Sequence, residues 1–325
     1  VDAIINNTDD PTFENTIEAL EYAGSTLNKV SHIFYNLLEA NTNEEMQNIA
    51  EQITPLTTEF SMYVSLNESL FQRIKKIYDQ KNLLNLNAEE TRLLEKTYDG
   101  FARNGANLSP EKKEIYSKYI EELSLLSLQF SKNVLAATNA FSLNITDESD
   151  LTGLPDYVKE QAADAAKHKE LKGWHFDLTA PSYIPFMKFS NKRDLREKMY
   201  RAYNTRAFDG ELDNSQIIKR IAELRILTAK LLGYTNFAEY QTERRMVKNP
   251  DAVNEFLNNL LVPALPKAKQ EVAELNAFAK DNGFEEENLM PWDFSFYAEK
   301  LRVERYDLSG EQLRAYFQLE NCIKA

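Results

Sequence analysis

Residues 181–207, PSYIPFMKFSNKRDLREKMYRAYNTRA, run from a proline-interrupted stretch into a strongly basic helix. Between Lys188 and Arg206 stand seven basic residues (Lys188, Lys192, Arg193, Arg196, Lys198, Arg201 and Arg206) and two acidic ones (Asp194 and Glu197), inside a chain of net charge −13. Pro181 and Pro185 predict extended backbone ahead of the helix, because proline disfavours the helical conformation in the residue before it. Leu195, Met199, Tyr200 and Tyr203 supply the apolar side of the helix. The cations spread around the rest of it. They predict either a charge-balanced helix packed on acidic neighbours, which is the preferred reading, or a set of cations that line a cleft and hold carboxylates or carbonyls.

Outward from this segment the pattern is helical. Phe13, Ile17, Leu20, Leu27, Val30, Phe34 and Leu37 recur at three- and four-residue steps and predict one core-facing helix over about 11–40, capped by Asp10 with Pro11 in its first turn. Ser109-Pro110-Glu111 and Asn249-Pro250-Asp251 repeat that start signal, and Thr42 to Glu45 and Asn87 to Glu90 have the spacing of capping boxes. Five start signals mean at least five helices. Ile115, Tyr119, Leu123, Leu126, Phe130 and Val134 mark one face of a long helix from about 109 to 140. After it, Phe141, Leu143 and Ile145 alternate with polar residues, as do Trp174, Phe176 and Leu178, which reads as a small sheet. Helices resume at Leu195, with breaks near Gly233, Pro250, Gly283 and Pro291.

The fold class is therefore mainly α: a large helical assembly with a small β ribbon or sheet at about 141–147 and 174–189. The chain reads as one continuous region, helical over 1–140, β-containing over 141–190 and helical again over 191–325.

Composition narrows the chemistry. An acidic chain does not suit nucleic acid, whose phosphates need clustered cations. No apolar run spans a bilayer and none is expected to meet a membrane. Nine glycines in 325 residues leave no Gly-rich phosphate loop, and neither GxGxxG nor GxSxG occurs. The single Cys322 offers no disulfide framework and fits a cytoplasmic location, although a leader ahead of Val1 stays open. Of three histidines, His32 lies beside the first apolar stripe and reads as structural, while His168 and His175 stand seven apart across Gly173 and read as surface and strand. A zinc pair on one helix needs two histidines four apart. Glutamates such as those in EEEN, 285–288, read as solvated faces, and Trp292 with its aromatic neighbours reads as core.

The order of six segments carries a resemblance: DDPTFENTIEALEYAG, FYNLLEANTNEEMQNIAEQI, LTGLP, PSYIPFMKFSNKRDLREKMYRAYNTRA, ERRMVKNPDAVNEFL and PWDFSFYAEKLRVERYDLSGEQLRAYFQLEN. Together they resemble the thimet-oligopeptidase family of zinc peptidases, within it the bacterial peptidyl-dipeptidase Dcp type. The resemblance implies a two-lobed, mostly helical clam with a deep channel, and an enzyme that removes C-terminal dipeptides from short peptides with one zinc. It also implies an HExxH helix with a downstream glutamate as the zinc and catalytic set.

No HExxH occurs in these 325 residues, and none of the histidines matches that motif. By the resemblance the chain is the N-terminal portion, which shapes the substrate channel and is expected to be inactive alone, with no catalytic or metal ligand of its own. Arg201 and Arg206 are the candidates for channel-facing cations. The partners expected are oligopeptides and the absent catalytic half, and an uncovered apolar patch or dimer contact is expected near Trp292 to Phe317. The alternative is a non-enzymatic helical peptide-binding or scaffold protein.

Overall fold

The computed structural model describes residues 1–306 and 317–324. Residues 307–316, within the stretch expected to be uncovered, lie outside the described residues, as does the side chain of Cys322. In chain order the elements are α1 (Asp2–Ile5), α2 (Ala19–Tyr22), α3 (Ser25–Ala40), α4 (Glu44–Ser65), α5 (Glu68–Asp79), α6 (Ala88–Arg103), α7 (Pro110–Ala140), β1 (Leu143–Ile145), α8 (Asp156–His168), β2 (Trp174–Phe176), α9 (Ala180–Phe189), α10 (Arg193–Asn204), α11 (Ser215–Leu231), α12 (Phe237–Thr242), α13 (Pro250–Asp281) and α14 (Pro291–Tyr306), with a short helix at Leu319–Lys324. Two compact units are formed, Val1–Lys132 with Ser215–Pro250, and Asn133–Asn214 with Asp251–Ala325. No helix among the described residues is long and apolar enough to cross a membrane.

The first unit is built on α5. Leu70, Phe71, Ile74 and Ile77 fall on one face of it and pack with Ile17 and Leu94 into a fully buried cluster. The expected single helix over 11–40 is broken. Thr12, not Asp10, is the cap: its Oγ1 accepts the Asn15 N–H at 3.2 Å while Asn15 Oδ1 accepts the Thr12 N–H at 2.9 Å, and Asp10 instead pairs with Lys76 at 2.8 Å. A π-turn over Phe13–Glu18 and Gly24, at φ +92°, then divert the chain. For that reason the apolar stripe does not stay on the core side: Phe13 and Ile17 are buried, whereas Leu27, Val30 and Leu37 on α3 are exposed, and His32 with them. At α4 the cap is Asn43, which accepts the Met46 N–H at 2.8 Å, rather than Thr42. The Asn87–Glu90 box forms as read, and α7 and α13 begin at the prolines that signalled them.

In the second unit β1 and β2 pair antiparallel, Leu143 opposite Phe176 and Ile145 opposite Trp174. The ribbon is narrower than the sequence suggests, because 180–189 is helix α9 and not an extended run. Pro181 sits in the first turn, where a missing N–H costs no bond, and its fixed φ suits a helix start as well as it suits an extended chain. Gly173, at φ +88°, lets the turn into β2 approach β1: a Cβ there would lie 2.1 Å from the Ile145 carbonyl oxygen. Around the ribbon Leu151, Leu154, Val158, Phe176, Phe186, Met199 and Trp292 form the core, and Leu275, Ala279, Phe284, Phe296 and Tyr297 form a second cluster under α13 and α14.

Candidate functional site

The basic helix α10 is anchored from below. Arg196 is 2% exposed and Asp293, in the first turn of α14, is 0% exposed. The Arg196 guanidinium donates to Asp293 Oδ1 at 2.8 Å, to the Trp292 carbonyl at 3.1 Å and to the Ser190 carbonyl at 2.8 Å, while its plane lies 4.1 Å from the Phe296 ring centroid. Arg193 forks onto the same carboxylate at 2.9 to 3.1 Å and also pairs with Glu286. The Met290 N–H donates to Asp293 Oδ2 at 3.1 Å, so the aspartate caps α14 as well. Burial pulls the Arg196 pKa down despite Asp293, whereas on half-exposed Arg193 the hydrogen bonds to Asp293 prevail over desolvation and push it up. Both remain charged at any physiological pH.

Such a node holds helices rather than substrate. Every nitrogen of Arg196 is committed to an acceptor, and the Asp293 carboxylate accepts from two guanidiniums and a backbone amide. Lys192 likewise pairs with Asp150 at 2.7 Å. The charges of this helix are thus answered largely within its own unit, as the charge-balanced reading has it. The sequence did not single out Asp293, and it read Glu286, in EEEN, as part of a solvated face, whereas Glu286 pairs with Arg193. Pro291 followed two residues later by Asp293 is a helix-start signal of the same kind as those at 110 and 250, and it was the available clue.

Arg201 lies further along α10, and Arg206 stands in the turn just past its end. Arg201 is exposed, bonded to Glu197 at 2.7 Å and placed 4.9 Å from the Trp292 ring centroid. Arg206 is half-buried, 3.8 Å from the Tyr203 ring centroid, and donates to the Tyr203 carbonyl at 2.8 Å and to Thr138 Oγ1 at 3.1 Å. Tyr203 stacks in turn on Tyr183 at 4.1 Å, and burial pushes the Tyr183 hydroxyl up to about 12. The two arginines therefore sit on an aromatic shelf but do not converge on a common acceptor.

Metal and nucleophile chemistry find little footing. Among the described residues no three of His, Cys, Asp or Glu are disposed to hold a metal ion, so the residues present do not fit a zinc site. His168 is exposed on α8. His175 is 2% exposed in β2; its Nδ1 lies 3.2 Å from Ser142 Oγ, and its Nε2 is buried without a hydrogen-bond partner. A nucleophile and base need a third group to orient the base, and no carboxylate bonds this imidazole. In the first unit a groove of about 770 Å³ runs between α4 and α7, lined by Pro55, Thr58, Met62, Leu66, Lys113 and Ser117, and the Lys113 ammonium is already held by the Leu66 carbonyl at 3.0 Å and Glu68 at 2.8 Å.

Comparison with known proteins places this architecture. Residues 186–325, which carry α10, the Asp293 node, α13 and α14, match Peptidase family M3. Over 94% of its length the chain is 35% identical to oligopeptidase A of Escherichia coli (strain K12), and it covers 46% of that protein. Over 99% of its length it is 32% identical to dipeptidyl carboxypeptidase of the same organism, covering 47%, and over 97% it is 33% identical to a probable cytosolic oligopeptidase A of Arabidopsis thaliana, covering 46%. The chain spans about half the length of the curated relatives it matches. With similarity to both kinds of relative running along nearly all of a mainly helical chain, this protein belongs to the thimet-oligopeptidase family, Peptidase family M3.

Proposed function

We propose that this chain is the N-terminal, channel-shaping part of a zinc-dependent oligopeptidase or peptidyl-dipeptidase of the cytoplasm, which hydrolyses short peptides and releases C-terminal dipeptides. The observation that carries the reading is the similarity over 94–99% of the chain to an oligopeptidase A and a dipeptidyl carboxypeptidase. This reading assigns no catalytic step to the chain itself; among the described residues no three potential metal ligands converge. Zinc, in this reading, is held by polypeptide outside this chain and supplies the activated water there.

The chain's own part is to bind and to exclude. Arg201 is the stronger substrate contact of the two arginines, because its guanidinium is exposed and oriented by Trp292 and Glu197. A peptide carboxylate or carbonyl is the group it would hold. Arg206 is tied to Tyr203 and Thr138, which supports a role in fixing the aromatic shelf.

The test joins residues 1–325 to the part of E. coli oligopeptidase A that the chain does not match, and follows dipeptide release from an oligopeptide. Release by the chimera that a chelator abolishes, with none from residues 1–325 alone, is expected. Tight peptide binding by residues 1–325 with no hydrolysis by the chimera would instead establish a non-enzymatic peptide-binding protein.

A further inference from the structure

The middle of α13 is bare. From residue 254 to residue 274 every position of this helix is exposed, and Phe256, Leu257, Leu260, Leu261, Val262 and Val272 among them are 40 to 73% exposed. Residues 256–266, FLNNLLVPALP, contain no charge. A soluble helix open to water ordinarily carries charges on most of its faces, and contiguous apolar exposure of this extent marks a surface that another chain segment covers. Pro263 and Pro266 lie inside the helix, so the carbonyls of Asn259 and Val262 lack their usual N–H partners and stand ready to accept from outside. Where α13 meets α14 a groove of about 460 Å³ has an apolar floor of Val272, Leu275, Phe294 and Leu301, with charged residues such as Glu271 and Arg302 also in its lining.

We infer that residues 254–274 of α13 are the docking surface for the polypeptide that the relatives possess and this chain does not match. Those relatives are about twice as long, so an amount of chain equal to this one is on hand to cover the face. The absence of charge over 256–266 fits an apolar, obligate contact and not a salt-sensitive encounter. The inference rests on the reading of the chain as part of a larger peptidase, and the experiment separates the two.

The probe is the part of E. coli oligopeptidase A that this chain does not match, produced separately and mixed with residues 1–325. Sedimentation of wild-type chain with the probe is expected to show a 1:1 complex, insensitive to salt, whose dissociation constant rises at least tenfold in the double variant Leu260→Asp/Leu261→Asp. Because both leucines are exposed, that variant is expected to keep wild-type helicity and unfolding midpoint, which guards against misfolding as the cause. A matched double variant elsewhere, Leu83→Asp/Met246→Asp, at two other exposed positions, is expected to bind as wild type does. Equal binding by wild type and the α13 variant would overturn the inference, as would the lack of any complex. Self-association of residues 1–325 that the α13 variant abolishes would overturn it too, by making a second copy the occupant. Complex formation without peptide hydrolysis would leave the docking surface standing and remove the peptidase reading, and hydrolysis by a complex indifferent to the α13 variant would do the reverse.

Discussion

Helices α10 and α13 both lie in the segment matched to Peptidase family M3, yet they treat their side chains in opposite ways. On α10 a charge is buried: Arg196 is enclosed, and acceptors from Asp293, Trp292 and Ser190 answer each of its donors. On α13 large apolar side chains are left in water from Phe256 to Val272. Burying an ion costs several kcal/mol unless partners replace its hydration, and exposing leucine forgoes roughly 25 cal/mol per Å². The first arrangement closes within the unit. The second does not close within the described residues, and the contrast teaches that α10 belongs to the chain's internal framework while α13 presents a surface.

The sharpest way to break the comparison is at its buried end. Asp293→Ala leaves Arg196 enclosed and Arg193 half-enclosed without their shared carboxylate, and removes the cap of α14 at the same stroke. A loss of about 3–5 kcal/mol is expected in urea unfolding. A loss under about 1 kcal/mol would mean that the pairs are far more hydrated than their geometry says. Next in size is Gly173→Ala. Its Cβ would be driven 2.1 Å from the Ile145 oxygen at a φ of +88°, so separation of β1 from β2 and a loss of roughly 1–3 kcal/mol are expected, read by thermal unfolding and by amide exchange at Ile145.

How far such sites are legible in sequence depends on whether local or distant chemistry fixes them. Helix starts at Asn87, Pro110 and Pro250 were readable because a cap and the N–H it satisfies lie within four residues. The Asp10 start failed at the same range, since Thr12 two residues on offers an equivalent oxygen and forms the reciprocal bond with Asn15. Pro181 and Pro185 misled because a fixed φ near −65° is shared by the first turn of a helix and by extended chain, and the surroundings chose the helix. The stripe from Phe13 to Leu37 had helical period throughout, but periodicity does not report the turn at Gly24 that takes α3 off the core. Asp293 was hidden for a different reason: its partner is 97 residues away, and one aspartate among 51 acidic residues carries no mark of burial.

A smaller effect distinguishes buried titratable groups from the permanently charged node. Burial holds the His175 imidazole below its ordinary value, with Lys169 adding to the depression and Asp177 opposing it. The unfolded chain therefore takes up a proton near pH 6.5 that the folded chain refuses, and stability falls as the pH drops below about 6.5 until the native group also titrates. His175→Phe keeps a flat ring at this buried position beside Ser142 and removes the proton. The acid-side slope of the unfolding midpoint is expected to flatten while the value near pH 8 changes little; an unchanged slope would place the acid sensitivity elsewhere.

The smallest expected effect is the most informative about α13. Leu261→Asp puts a charge at a position that is about half exposed and belongs to none of the core clusters among the described residues. Its cost in this chain is expected to lie within about 0.5 kcal/mol, the range of ordinary surface substitutions. A leucine that the chain itself had covered would lose about 2–5 kcal/mol on replacement by a smaller residue, and more by a charged one. The two cases are therefore separated by several-fold in the same urea titration. A large loss would show α13 to be packed by this chain's own residues and would erase the difference from α10; no loss keeps that difference and makes the helix's apolar side a property of contacts made with other polypeptide.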